Sequence, residues 1–279
     1  MRVCFVGGHE GLGELIFVGL GLFDENDISL RGVEEAKNAD IVFAEFYTSL
    51  LAGLSLHRLE EIVGKRIIVL RRRDLEDECG ESILRAAENG KAVLLVPGDP
   101  LIATTHIDLR IRAEKRGIKT RIVHSASIVS AAMGLSGLQN YRFGKSVTIP
   151  FPMNGRISRT PYDVIAENKS RDLHTLCFLD LDVEGGRFMR IREALEILLS
   201  LEDDIGEGIL NLESLAVGIS RAGAKDGIVK AGSIKELLNF NFGDPPHTLI
   251  IPSDNLHFME AEALSVLADA PKWVREMIK

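Results

Sequence analysis

"LLVPGDPLIATTH", residues 94–106, carries an apolar run into a Gly-Asp-Pro corner and leaves through two threonines. Pro97 and Pro100 push the residues before them, Val96 and Asp99, toward extended backbone angles. Gly98 removes the side chain that would keep a ligand away from the main chain. If the apolar run is a strand of a parallel sheet, Asp99 is held just beyond its carboxyl end, where open α/β sheets bind ligands. A carboxylate fixed there accepts hydrogen bonds from hydroxyls or an amine and repels phosphate. That suits a cationic, hydroxyl-bearing cofactor lacking phosphate, and S-adenosylmethionine meets all three demands. The same spacing also fits an Asp99 that only caps the helix entered through Thr104 and Thr105.

The flanking pattern supplies the sheet. "ELIFVG" (14–19), "ADIVFAE" (39–45), "KRIIVL" (65–70), "KAVLLVPG" (91–98) and "KTRIVH" (119–124) read as strands. Between them the spacing predicts helices over 29–38, 54–63, 74–89 and 128–133, with Gly90 and Gly117 placed as C-caps. "HIDLRIRAEKRG" (106–117) alternates apolar and polar like a strand, but its closing Ala-Glu-Lys-Arg and Gly117 favour a helix. Near-continuous apolar strands, each followed by a helix, predict an α/β fold with a mostly parallel sheet covered on both faces.

After "GLSGLQNYRFG" (134–144) the rhythm changes, and "KSVTIPFPMNGRISRTP" (145–161) holds three prolines among polar connectors. Strands are expected in 173–182, 213–223, 226–232 and 247–253, and helices over 190–200, 234–238 and 260–267. The expectation is therefore two α/β domains, 15–144 and 145–279, the second with a mixed sheet. Residues 1–14 are expected to be a flexible extension.

Composition narrows the function classes. The 279 residues carry 41 acidic and 33 basic side chains, a formal charge of −8, which disfavours a broad nucleic-acid face. No apolar run reaches the roughly 18 residues that span a bilayer, and no secretory leader is evident. Cys4, Cys79 and Cys177 form no metal-type pair and suit the cytoplasm as small core residues. "VLRRRD" (69–74), the dense basic cluster of the first half, reads as a solvated loop. The histidines give no H-x-x-x-H pair, no G-x-S-x-G elbow occurs, and no general base is evident. His247 reads as structural on sequence grounds.

"FVGLGLFDEND" (17–27) has the opening of a dinucleotide-binding unit, with Gly19-x-Gly21 after a strand and Glu45 ending the next. Asp24, Glu25 and Asp27 count against it, because they would crowd a pyrophosphate with negative charge. The following helix also starts too late to aim its amides at phosphate.

Several stretches together resemble the diphthine synthases, a family within the tetrapyrrole-methylase-like class of methyltransferases. They are "LIFVGLGLFDENDISLRG", "AEFYTS", "VPGDPLIATTH", "HSASIVSAAMGLSGLQNYRFG", "YDVIAENKSRDLHTLCFLDLD", "SRAG" and "PPHTLIIP", in order from Leu15 to near the end. The Gly-Asp-Pro corner is shared across the wider class; "ATTH", "LQNYRFGKSVTIP" and "NKSRDLHTLCFLD" are more specific. The resemblance implies two α/β domains with the cofactor in the cleft between them, in a cytoplasmic homodimer. It implies successive methyl transfer from S-adenosylmethionine to the amino nitrogen of a modified histidine, 2-(3-carboxy-3-aminopropyl)histidine, on translation elongation factor 2. That is a step of diphthamide biosynthesis, and S-adenosylhomocysteine is the coproduct. Carried over by motif position, the cofactor contacts are Leu22, Asp99, Ile102, Ser127 and Ile128, then Leu179, Ala222 and His247. No metal, nucleic acid or membrane partner is implied. Acids among residues 24–27 are expected to favour the quaternary product's charge. Family members begin near Leu15, so "MRVCFVGGHEGLG" reads as flexible or as an overlong start. A tetrapyrrole methyltransferase of the same fold and a non-catalytic scaffold are the alternatives.

Overall fold

The apolar runs of the first half become five strands of one parallel sheet. The computed structural model describes residues 13–279. The chain divides into two units, one ending at Ser127 and the other running Ile128–Lys279. In the first, the order is β1 (Glu14–Gly19), α1 (Leu30–Lys37), β2 (Ile41–Glu45), α2 (Leu56–Val63), β3 (Ile67–Leu70), α3 (Arg72–Leu75), α4 (Glu81–Glu88), β4 (Lys91–Val96), α5 (His106–Lys115) and β5 (Lys119–Val123). The strands lie in the order β3-β2-β4-β1-β5.

Continuous apolarity follows from burial on both faces. Along β1, Leu15 and Phe17 join one core with α4 and α5 through Leu84 and Leu109. Ile16 and Val18 join the opposite core with α1 and α2 through Ala36 and Leu59. The helix after β1 thus covers one face and the helix after β4 the other. Because β1 and β4 are neighbours, their carboxyl ends form the point where connections diverge, at which open α/β sheets bind ligands.

Local deviations have local causes. The helix expected over 74–89 is broken into α3 and α4, because Cys79 and Gly80 take left-handed angles (φ 56° and 68°). The expected basic loop contributes Arg72 and Arg73 to α3, where the Arg72 guanidinium lies 5.1 Å from the Tyr47 ring centroid. In α5 the alternation splits between faces: Leu109 and Ala113 are buried, while Ile107 and Ile111 point outward. Residues 1–12, most of the expected extension, lie outside the described residues, as does Cys4. Gly13 and Glu14 belong to the fold: the Gly13 carbonyl accepts from Lys119 N at 3.1 Å, and Glu14 opens β1.

The second unit contains α6 (Ile128–Ser136), β6 (Val147–Ile149), α7 (Thr160–Ser170), β7 (Thr175–Leu179), β8 (Leu181–Asp182), β9 (Arg187–Phe188), α8 (Ile191–Ile205), β10 (Leu215–Ser220), β11 (Ile228–Ser233), α9 (Ile234–Asn239), β12 (His247–Ile251) and α10 (Phe258–Leu267). Its sheet runs β11-β10-β12-β7-β6, with only β6 and β7 parallel, so it is mixed. Residues 128–144, placed in the first domain from sequence, pack here. Ala132 and Leu138 share a core with Leu176, Val217 and Ile250. The segment expected as a connector instead supplies β6 and the start of α7, a helix absent from the sequence-based expectation. Cys177 is buried, and burial pushes its thiol up to about 12. Among the described residues no helix is long and apolar enough to cross a membrane.

Candidate functional site

In the first unit the loops leaving β1 and β4 lock together. Gly98 N donates to the Gly21 carbonyl at 2.7 Å and Gly21 N to the Gly98 carbonyl at 3.3 Å. Both glycines are left-handed, at φ 82° for Gly21 and 67° for Gly98, which an L side chain resists. A Cβ on Gly19 would sit 2.5 Å from the Gly98 carbonyl oxygen and 2.7 Å from Ser125 Cβ. Gly19→Ala is therefore expected to push the loops apart and destabilise the first unit by about 1–3 kcal/mol, measured by denaturant unfolding.

Asp99, 7% exposed, sits in this lock. Its Oδ2 accepts from His124 Nδ1 at 2.7 Å and from Ser125 N at 3.3 Å, while among the described residues Oδ1 accepts only from Leu101 N at 3.4 Å. It does not cap the next helix. Thr105 holds the N-cap position of α5 without a side-chain cap bond, and Thr104 Oγ1 turns back to the Pro100 carbonyl at 2.9 Å. The Asp99 carbonyl accepts from Ile102 N at 3.2 Å, and the Ile102 side chain is 46% exposed beside the corner. Ser127, buried, ends the unit's last loop, and Ile128 opens α6 of the second unit.

The acids of the glycine loop do structural work. Asp27 Oδ2 accepts from Leu22 N at 3.1 Å and Phe23 N at 2.7 Å, and Asp24 Oδ1 from Asn26 N at 2.8 Å. Glu25 is buried, accepts from Ser55 N at 3.0 Å and faces Arg58 at 3.6 Å. Each accepts from a protein donor, which fixes the position of its carboxylate. The Leu22 amide is likewise spent on Asp27, so Leu22 offers its carbonyl and side chain.

Sequence reasoning missed one cluster at this sheet end. Glu45, fully buried at the end of β2, accepts from Tyr47 N, Thr48 N, the Thr48 hydroxyl and His106 Nε2, at 3.0, 3.1, 2.6 and 3.0 Å. It ties "AEFYTS" to "ATTH" and anchors the start of α5. The signal was visible: an acid closing an apolar strand, two residues before a tyrosine, needs donors from somewhere.

In the second unit three expected residues lie at the same end of the three inner strands β10, β12 and β7. His247 opens β12, and its neighbours there are the ends of β10 (Ser220↔His247) and β7 (Phe178↔Thr248). Leu179 ends β7 with its side chain in the core, and Ala222 follows β10 behind Arg221, a non-glycine at φ 46°. His247 is 7% exposed; its Nδ1 accepts from Ile191 N at 3.3 Å, which places the proton on Nε2. Among the described residues Nε2 is buried without a hydrogen-bond partner, although the Asp244 and Gly243 carbonyls lie near enough to favour the imidazolium. Burial, assisted by the charge of Arg190, outweighs them and pulls its pKa down to about 4. A buried neutral donor left without a well-formed bond fits a ligand acceptor, and the half-used Asp99 carboxylate fits a hydroxyl or amine.

Known proteins resemble this chain along most of its length. Residues 14–238 match the family described as Tetrapyrrole (Corrin/Porphyrin) Methylases. A protein named diphthine synthase from Methanosarcina mazei is 51% identical over 270 residues, covering 95% of this chain and 100% of its own. A crystal structure of diphthine synthase superposes with TM-score 0.86 at 44% identity, covering 95% of this chain and 100% of that one. That of a putative diphthine synthase from Entamoeba histolytica does so with TM-score 0.85 at 36% identity, covering 93% and 99%.

Proposed function

The chain belongs to the tetrapyrrole (corrin/porphyrin) methylases, and from that premise we propose that it is a diphthine synthase. It transfers methyl groups from S-adenosylmethionine to the amino nitrogen of the modified histidine of translation elongation factor 2, a step of diphthamide biosynthesis. We place it in the cytoplasm as a homodimer. The single observation that carries the cofactor assignment is the Asp99 carboxylate, held by His124 and Ser125 beyond the end of β4 with Oδ1 nearly free.

The residues fit the cofactor. Asp99 accepts from its hydroxyls or amine, the exposed Ile102 side chain offers an apolar platform, and His247 Nε2 donates to an acceptor on it. Leu22, Ser127, Ile128, Leu179 and Ala222 complete the proposed contacts. When bound, the sulfonium supplies an already activated methyl group, so the protein's task is placement and exclusion of water. Holding nitrogen and methyl carbon about 3–3.5 Å apart supplies much of the barrier reduction. An α-amino group titrates near pH 8, at about 7.7–8.0, so a usable neutral fraction exists at neutral pH. Attack by the neutral amine leaves an ammonium as the sulfide departs; that ammonium must lose a proton before the next transfer, and a transfer that makes the nitrogen quaternary leaves none to lose.

The test is a methyl-transfer assay with the partly modified elongation factor, read by mass spectrometry, against a precorrin acceptor. Methyl incorporation into the factor is expected; incorporation into the precorrin alone would reassign the substrate. Asp99→Ala is expected to weaken S-adenosylhomocysteine binding by about 1–3 kcal/mol in calorimetry. Unchanged affinity would remove Asp99 from the site.

A further inference from the structure

We infer that His124 is a positioning residue for the cofactor carboxylate: it pins one oxygen of Asp99 so that the other is presented to the ligand. The inference rests on the assignment of Asp99 to S-adenosylmethionine. Asp99 stands in a backbone already stiffened by Gly98 and Pro100, yet its carboxylate would still rotate about χ2. The two oxygens are treated differently. Oδ2 takes the short 2.7 Å bond from His124 Nδ1 and the 3.3 Å bond from Ser125 N, both from the segment that follows β5. Among the described residues Oδ1 has only the 3.4 Å contact to Leu101 N, at the weak limit of hydrogen bonding.

A carboxylate accepts and does not donate, so the His124 proton facing Asp99 lies on Nδ1. The His124 side chain is 72% exposed while that of Asp99 is 8% exposed. An exposed imidazole adds little to a core. Its one ordered role here is to donate to a buried acceptor. Fixing the plane of the carboxylate lowers the ordering cost that ligand binding would otherwise bear. The hydroxyl or ammonium donor of the cofactor then meets Oδ1, and His124 itself makes no ligand contact.

Calorimetric titration of the full chain with S-adenosylhomocysteine separates these roles. His124→Ala removes the donor and is expected to weaken binding about tenfold, equivalent to about 1.4 kcal/mol. His124→Asn carries an amide nitrogen at the same bond count from Cβ as Nδ1, and is expected to restore affinity to within about threefold of the original. In an Asp99→Ala background, His124→Ala is expected to cost nothing further. Circular dichroism confirms that each variant is folded. The inference is overturned if His124→Ala binds like the original chain, if Asn fails to rescue, or if the penalty persists without Asp99. Absence of binding by the unaltered chain would instead overturn the cofactor assignment.

Discussion

Glu260→Ala is expected to destabilise the second unit by about 3–5 kcal/mol, the range for removing one partner of a buried ion pair. Glu260 and His174 are both fully buried. One oxygen of Glu260 accepts from His174 Nε2 and Gln139 N, each at 3.0 Å; the other accepts from His257 N at 2.9 Å and pairs with Arg142. His174 Nδ1 in turn accepts from Ser253 N at 3.0 Å, so removing Glu260 strands an imidazole N–H and two amides, while the Arg142 guanidinium loses one of its two carboxylate partners and keeps Asp172. Glu260→Gln keeps one acceptor oxygen and the volume, and is expected to cost less. Trp273 packs on the core of this unit, so its fluorescence reports the unfolding. Burial alone would raise the Glu260 pKa, but the bonds from His174, Gln139 and His257 overcome it and hold the carboxyl at about 2. The folded value lies below the ordinary 4.5, so this stabilisation is complete above pH 4.5 and fades as pH falls toward 2. Equal stability of the alanine variant and the original chain would show that the hub contributes nothing net.

That hub also shows what the sequence can and cannot carry. The five parallel strands were legible because burial on both faces leaves an unbroken apolar run, a signal local to each strand. The corner was legible for the same reason: Gly98, Asp99 and Pro100 are contiguous, and their backbone limits are local. Long-range pairing was not. Nothing near Glu260 announces His174, 86 residues away, nor does Glu45 announce His106, 61 residues away. Helix α7 is hidden because Pro161 stands among prolines and polar connectors, yet it occupies the first turn, where a proline lacks no needed N–H. The partners of Asp24, Glu25 and Asp27 include backbone amides, which composition does not count. His124 lay in plain sight in "HSAS", but its link to Asp99 needs the fold that sets β5 and β4 on either side of β1.

His247 should make the second unit lose stability as pH falls, in a window distinct from that of Glu260. Its folded pKa, about 4, lies below the ordinary 6.5, because burial disfavours the imidazolium and Arg190 adds a like charge. Between those values the unfolded chain binds the proton and the folded chain does not, so acid favours unfolding. The contribution is complete above pH 6.5 and is lost as pH falls to about 4, a total of about 3 kcal/mol for a shift of this size. Most of that loss falls above pH 4.5, where Glu260 is still ionised in both states. Urea unfolding followed by Trp273 at pH 7 and pH 5 should therefore show a drop in the original chain that His247→Gln lacks. Glutamine keeps a polar amide of similar size and cannot titrate, so the variant is expected to remain folded at pH 7. Parallel profiles for the two proteins would mean that His247 titrates without penalty, and its orphaned Nε2 would then be no measure of a waiting ligand. If the profiles diverge, S-adenosylhomocysteine should stabilise the original chain more than His247→Leu at equal ligand concentration, because leucine has no donor and the imidazole gains a partner for one that folding left unpaired.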